Sequence, residues 1–510
     1  MKVTAFDQRS SATRTTPSVL IVGTGLGGLA AAIALKKIGV TDLTLLERAT
    51  EVGGTWEANT YPGIAVDTSI LNYSLSYDPN PGWTRLYAGG AELHSYVIGL
   101  SERHDVRRHI RFDTTVTEAR FDDTYHRWEV ATSGGIVYTA DVLISATGVL
   151  STPKIPDIPG LENFEGTVLH SAQWDSSFDP SGRSIAQIGS GATAAQLVPE
   201  LAKTAEKVYV YQRSAPWVLP RNDREIGRLE GWLYRKVPLS LKLRRWRRFW
   251  QNDVVAYGFE KQNRTTQTQT RWATEFIERS VHDPQLRRAV IPDYEIGCKR
   301  RVMSDDWYPA LQRDNVDLIS GALDDIRERS VVGTDGVERN VDTLIFSTGF
   351  AVSEMIPMKV FGRGGHELHT TWSAGAKTHL GLTVSGYPNL FLMAGPNTGI
   401  GSGSMTFMLE CQARYIAQAV EYLARTGTTA LDVLDVVQDR SYRRVQQRLA
   451  SSVYGSGCAG WYQNPDGTID TLWPGANSEY WFRTRRFNPH DYLTLRSAAD
   501  DTELEGTRSS

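Results

Sequence analysis

At 510 residues the chain has length for about three ordinary domains and can bury more than one core. Its 55 Lys and Arg against 58 Asp and Glu leave a formal charge of -3, so it lacks the positive field that nucleic-acid phosphates require. With 41% hydrophobic and 22% charged residues it has a globular composition, which excludes a disordered chain.

Residues 1–17, rich in Ser, Thr and Arg, read as a loose tail. The stretch from Thr15 to Leu35 carries no charge and resembles a membrane span or a secretory segment. Its glycines argue against both. Gly23, Gly25, Gly27 and Gly28 follow the apolar run Val19, Leu20, Ile21, Val22, which reads as strand, turn and helix. No membrane anchor and a cytoplasmic location are therefore expected. Within this unit Gly23 allows the tight turn, Gly25 lets the backbone approach a pyrophosphate, and Gly28 lets helix and sheet pack closely. Glu47 ends the next strand, 24 positions after Gly23, where a carboxylate accepts both hydroxyls of an adenosine ribose.

The second unit begins at Arg183. Gly189-Ser190-Gly191-Ala192-Thr193-Ala194 repeats the glycine pattern, and the strand after it ends at Gln212-Arg213-Ser214. The spacing from Gly189 to Arg213 is again 24. Here a guanidinium stands where the first unit has an acid. It can bind a 2′-phosphate bidentately, with the Ser214 hydroxyl adding a bond, so this unit should prefer NADPH. The acid of the first unit repels such a phosphate, leaving FAD or NAD as its ligand. Pairing with NADPH favours FAD.

The remaining elements frame these units. Residues 143–149 (LISATGV) and 344–350 (LIFSTGF) are short apolar strands that break at Thr-Gly, as crossings between domains would. Residues 224–289 read as a largely helical insertion, and within it residues 242–250 (KLRRWRRFW) are basic with interleaved aromatics. That segment is either a membrane-surface helix or, because two turns is short, a solvated helix whose aromatics pack inward. A loop with four glycines between Gly395 and Gly403 precedes an amphipathic helix with Met408, Cys411, Tyr415 and Ala419 on one face. Such a loop either directs a helix N-terminus at an anionic flavin ring or simply precedes a core helix. The three cysteines, Cys298, Cys411 and Cys458, are widely spaced and are expected to be free thiols in a reducing compartment.

Two further segments carry a resemblance. Residues 164–175 (FEGTVLHSAQWD) match FxGxxxHxxxW(P/D), and residues 53–67 (GGTWEANTYPGIAVD) match GGxWxxxxYPGxxxD. Together with both glycine motifs they resemble the type I Baeyer–Villiger monooxygenases, a branch of the class B flavoprotein monooxygenases, over about residues 17–492. The resemblance implies an α/β fold with two Rossmann-like dinucleotide-binding domains, for FAD and NADPH, and a helical insertion in the second. The corresponding boundaries are 18–150 and 385–510 for the FAD domain, 183–349 for the NADPH domain, and 151–182 and 350–384 for interdomain linkers. It also implies the chemistry. NADPH reduces FAD, O2 adds to the flavin, and the peroxide anion attacks a ketone to give an ester or lactone.

By the same correspondence Arg300 of Gly297-Cys298-Lys299-Arg300 stabilises that anion, Asp67 pairs with Arg300, and Lys299 joins Arg213 and Ser214 at the 2′-phosphate. Read without the motif, Lys299-Arg300-Arg301 is a surface basic cluster and Asp67 a turn residue. Gly54, Thr55, Trp56, Tyr73, Val116 and Met405 fall where relatives contact FAD, and Ser190 to Ala194 where they hold the NADPH pyrophosphate. His170 and Trp174 stand in a linker that couples domain movement. The loop from Gly399 to Met405 walls the substrate pocket, while the Trp-rich segment 472–487 departs from the cyclohexanone-type members. Two alternatives stand beside the ketone reaction. Oxygen transfer to sulfur or nitrogen is disfavoured by Trp174-Asp175, and a plain flavoprotein reductase or oxidase is disfavoured by Lys299-Arg300.

Overall fold

The structure is a computed structural model that describes residues 16–351, 355–457, 462–464 and 466–496. Nearly all of the expected tail, and Cys458, lie outside the described residues. The apolar strands before the two glycine loops each become the middle strand of a five-stranded parallel sheet. In the first sheet the order is Leu390–Leu392, Val142–Ser145, Val19–Val22, Leu43–Leu46, Ile110–Arg111. In the second it is Val316–Ser320, Lys207–Gln212, Ser184–Ile188, Thr343–Phe346, Thr167–His170. All four residues of Val19–Val22 are buried, as parallel sheets covered on both faces require. Each glycine loop leaves its middle strand at the carboxyl edge of the sheet, where the strand order reverses direction and ligands bind.

The segments expected between the two units each supply a strand. Thr167–His170 joins the second sheet, and Lys359–Phe361 pairs with Val116–Asp122 in a four-stranded sheet of the first unit. The two Thr-Gly crossings run side by side: Lys154 N donates to the Gly349 carbonyl and Ala351 N to the Thr152 carbonyl, both at 2.9 Å. His170 closes its strand, buried, with its ring 6.2 Å from that of Phe350 at this crossing.

Residues 224–289 form four helices, Arg228–Lys236, Pro238–Lys261, Arg264–Ser280 and Pro284–Ala289. The basic aromatic segment needs correction on two points. It belongs to a helix of 24 residues, far longer than two turns. Its aromatics also do not all turn inward: Phe249 stacks edge-on against Phe407, but Trp246 is 65% exposed and continues an outward stripe through Leu239, Leu243, Trp250, Val254 and Tyr257. The inward positions go instead to Leu241, Ala256, Phe259 and to Arg245, which donates to the Ser74 hydroxyl and carbonyl at 2.7 and 3.0 Å. Among the described residues no helix is long and apolar enough to cross a membrane.

The cysteine expectation is corrected as well. Cys411 is a free, buried thiol, but Cys298 is in a disulfide. Sequence distance is a poor guide to thiol pairing because folding, not spacing, brings cysteines within bonding range.

Candidate active site

Both glycine loops open onto one cavity of about 3170 Å³. A pocket for a single drug-sized ligand is roughly 300–1,000 Å³, so this space suits two large ligands meeting end to end. At the first loop Gly23 takes φ +101°, and a Cβ there would fall 2.5 Å from the Ala146 carbonyl oxygen. Gly189 repeats this at φ +110°, with Ser347 in the place of Ala146. A side chain at either position would force the loop off its sheet and close the anion cradle at the helix start.

The two ribose corners have opposite charge. Glu47 is buried, and Thr24 N and Oγ1 donate to its Oε2 at 2.8 and 2.7 Å while Ala49 N donates to Oε1 at 2.9 Å. These bonds orient the carboxylate and leave lone pairs for hydroxyl donors. At the second corner Lys299 Nζ donates to Ser214 Oγ at 3.0 Å, and Arg213 stands beside them. Burial, and next the Arg213 cation, push the Lys299 pKa down. Among the described residues neither cation has a carboxylate within ion-pair distance, although the Asp293 charge reaches Lys299.

Between the corners Arg300 meets Asp67. Its Nε donates to Asp67 Oδ2 at 2.9 Å and Nη2 contacts the same oxygen. The Asp67 charge raises the Arg300 pKa, outweighing the lowering effect of burial, and the guanidinium stays charged. Trp56 Nε1 donates to Tyr73 Oη at 3.0 Å, with the rings edge to face, and this pair walls the first loop's half of the cavity. Opposite stands the N-terminus of helix Met405–Thr426, capped by Ser404, whose Oγ accepts from Phe407 N at 3.1 Å and donates to the Asn72 carbonyl at 2.5 Å.

Residues 16–357 match the model of the flavin-binding monooxygenase-like family. A Baeyer–Villiger monooxygenase from Streptomyces coelicolor is 40% identical over 483 residues, which span 94% of this chain and 93% of that protein. The chain belongs to the Baeyer–Villiger monooxygenases. One from Pseudomonas aeruginosa is 39% identical over 477 residues, covering 93% and 90%. Among solved structures, an oxidized steroid monooxygenase bound to NADP superposes with a TM-score of 0.83 at 27% identity, covering 94% of this chain and 100% of that one. OTEMO complexed with FAD and NADP gives 0.84 at 25% identity, with the same coverage.

In this Baeyer–Villiger monooxygenase most of the residues expected at the site line the common cavity: Gly23, Gly25, Glu47, Gly54, Thr55, Trp56, Asp67, Tyr73, Val116, Met405, Gly189 to Thr193, Arg213, Ser214, Lys299 and Arg300. Two do not. Gly28 faces the backbone, where a Cβ would sit 2.0 Å from the Gly23 carbonyl oxygen, and Ala194 is wholly buried in the second unit's core. Both let the helix lie close to its sheet instead of touching a ligand. The loop from Gly399 walls the cavity because the Trp-rich segment clasps it: Gly399 N donates to the Thr471 carbonyl at 2.9 Å and Trp473 N to the Gly399 carbonyl at 2.7 Å.

Sequence reasoning missed Gln196. Its side chain grips the segment leading to Asp67: Tyr61 Oη donates to Oε1 at 2.9 Å, Ala65 N does so at 3.4 Å, and Nε2 donates to the Ala65 carbonyl at 2.9 Å. Gly63 lets this happen, since a Cβ there would meet the Gln196 carbonyl oxygen at 2.5 Å. The sequence signal was weak: one amide in a helix that also carries Thr193 and Glu200.

Proposed function

We propose that this chain is an NADPH- and FAD-dependent monooxygenase that inserts one atom of O2 beside the carbonyl of a small-molecule ketone, giving an ester or lactone. Bound FAD, reduced by NADPH, supplies the oxygen-activating chemistry, and the second oxygen atom leaves as water. Gly23, Gly25 and the first amides of helix Leu26–Lys37 receive the FAD pyrophosphate, and Glu47 its ribose. Gly54, Thr55, Trp56, Tyr73, Val116 and Met405 line the rest of the flavin's place. Gly189 to Thr193 hold the NADPH pyrophosphate, while Arg213, Ser214 and Lys299 hold the 2′-phosphate.

The observation that carries this reading is Arg300, held by Asp67 where both nucleotide halves of the cavity meet. Negative charge builds on oxygen as it adds to a carbonyl. A preoriented guanidinium, charged at any working pH, stabilises that charge without reorganising. Asp67 is a positioning residue: it fixes the guanidinium plane.

The test is direct. The purified protein should be yellow, oxidise NADPH faster than NADH, and form an ester from a ketone. Arg300→Ala should retain flavin reduction by NADPH while ester formation falls by about 100-fold or more. A colourless, flavin-free protein would refute the reading, and undiminished ester formation in the variant would refute the role of Arg300.

A further inference from the structure

Arg301, the next residue along, is a cation lining this cavity to which the reaction above gives no task. Its Nη1 contacts Gln269 Oε1, a neutral acceptor, and its guanidinium lies over the Phe259 ring at 4.7 Å. Nε is buried with no hydrogen-bond partner. Among the described residues no carboxylate stands within ion-pair distance of it, in contrast to Arg300 and its Asp67. A guanidinium carries five donors, and a buried one is ordinarily matched by an acid, since removing a charge from water costs several kcal/mol. One amide oxygen and one ring face offset only part of that cost. The side chain nonetheless faces the same cavity as Arg300, and the Tyr462 phenol lies within electrostatic reach of both guanidiniums.

We propose that Arg301 is the receptor for a carboxylate on the substrate, so that the ketone this enzyme accepts is an oxo acid. This deepens, and rests on, the ketone-oxygenating reading above. The cofactors do not supply the anion in that reading. Their pyrophosphates go to the two helix starts, and the 2′-phosphate goes to the corner of Arg213, Ser214 and Lys299. A carboxylate also fits the geometry, because its two oxygens match the planar guanidinium fork. Apolar side chains, Val255, Ile400, Met405 and Leu472 among them, also line the cavity. The complementary ligand therefore has a hydrocarbon spacer, a carboxylate at Arg301 and a carbonyl at Arg300. With both arginines lining one cavity, a spacer of four carbons serves as the probe.

The experiment compares 6-oxoheptanoate with its methyl ester on the FAD-loaded enzyme. A charge-assisted pair is worth roughly 1.5–3 kcal/mol, so kcat/KM for the acid should exceed that for the ester by at least about tenfold. In Arg301→Gln that ratio should fall to about one, with the loss in KM for the acid and not in kcat. Titrating the oxidised holoenzyme with 6-oxoheptanoate, read by the flavin absorbance, should show the same weakening without turnover. Gln269→Glu provides a second variant: it gives Arg301 an internal acid and should abolish the preference while leaving Arg301 in place. Equal use of acid and ester by the unmodified enzyme, or a loss in Arg301→Gln that strikes both alike, would overturn the proposal. Failure of the ketone-oxygenating reading is distinguishable: NADPH would be consumed with no ester from either compound, while the absorbance titration would still judge the carboxylate site.

Discussion

Gln196→Ala tests whether contact between the two nucleotide units sets the Arg300–Asp67 pair. The substitution deletes two hydrogen bonds of 2.9 Å, to Tyr61 and the Ala65 carbonyl, and a longer one of 3.4 Å from Ala65 N. Neutral hydrogen bonds contribute roughly 0.5–1.5 kcal/mol each, so the clasp is worth about 1–3 kcal/mol. Its helix, Ala192–Leu201, should not suffer, because Ala has the higher helix propensity. The loss therefore falls on the segment two residues upstream of Asp67. If that segment drifts, Arg300 loses its fixed orientation, and misplacement by about 1 Å can cost on the order of 100-fold in rate. The assay is ester formed per NADPH oxidised, with hydrogen peroxide measured alongside. The variant should bind FAD, oxidise NADPH and divert reducing equivalents to peroxide. Gln196→Glu keeps the acceptor for Tyr61 and loses the donor to Ala65, so its coupling should lie between. A Gln196→Ala enzyme that couples as well as the unmodified one would refute the argument.

Three further outcomes follow from the charges and burial described. Arg213→Ala should lower kcat/KM for NADPH by about 10- to 100-fold and hardly alter that for NADH, because only the former carries the 2′-phosphate; steady-state kinetics with both coenzymes check this. His379 is buried with neither ring nitrogen hydrogen-bonded, and burial holds its pKa down at about 4 against an ordinary 6.5. The unfolded chain thus binds the extra proton first, so His379's contribution to stability is full above pH 6.5 and is lost as pH falls toward 4. The slope is at most about 1.4 kcal/mol per pH unit, and denaturant melts of the protein and of His379→Gln should differ in it over that window. Cys411 is buried, with its thiol pushed up to about 12, so a thiol reagent should reach it only after denaturation.

Much of this architecture was legible in the chain. The loops at Gly23 and Gly189, Glu47, Arg213 and the buried face of Met408, Cys411, Tyr415 and Ala419 are all recoverable, because each depends on local spacing: a turn, a strand length or a helical period. The outward stripe on Pro238–Lys261 was not. Periodicity reveals that a helix has an apolar face but not whether a neighbour arrives to cover it. The disulfide at Cys298 was missed for a related reason, since folding and not sequence spacing decides which thiols come within bonding range.

What the sequence determined by itself is a pair of nucleotide folds with opposite charge at their ribose corners, because those properties live within some thirty residues of backbone. What only the tertiary structure decided is which charges meet. Asp67 and Arg300 are 233 positions apart, yet folding brings them into contact, whereas Arg301 is turned toward Phe259 and Gln269 with no carboxylate of the described residues within ion-pair distance. Adjacent residues of one basic run thus differ in electrostatic environment because what surrounds each side chain is contributed by distant parts of the chain.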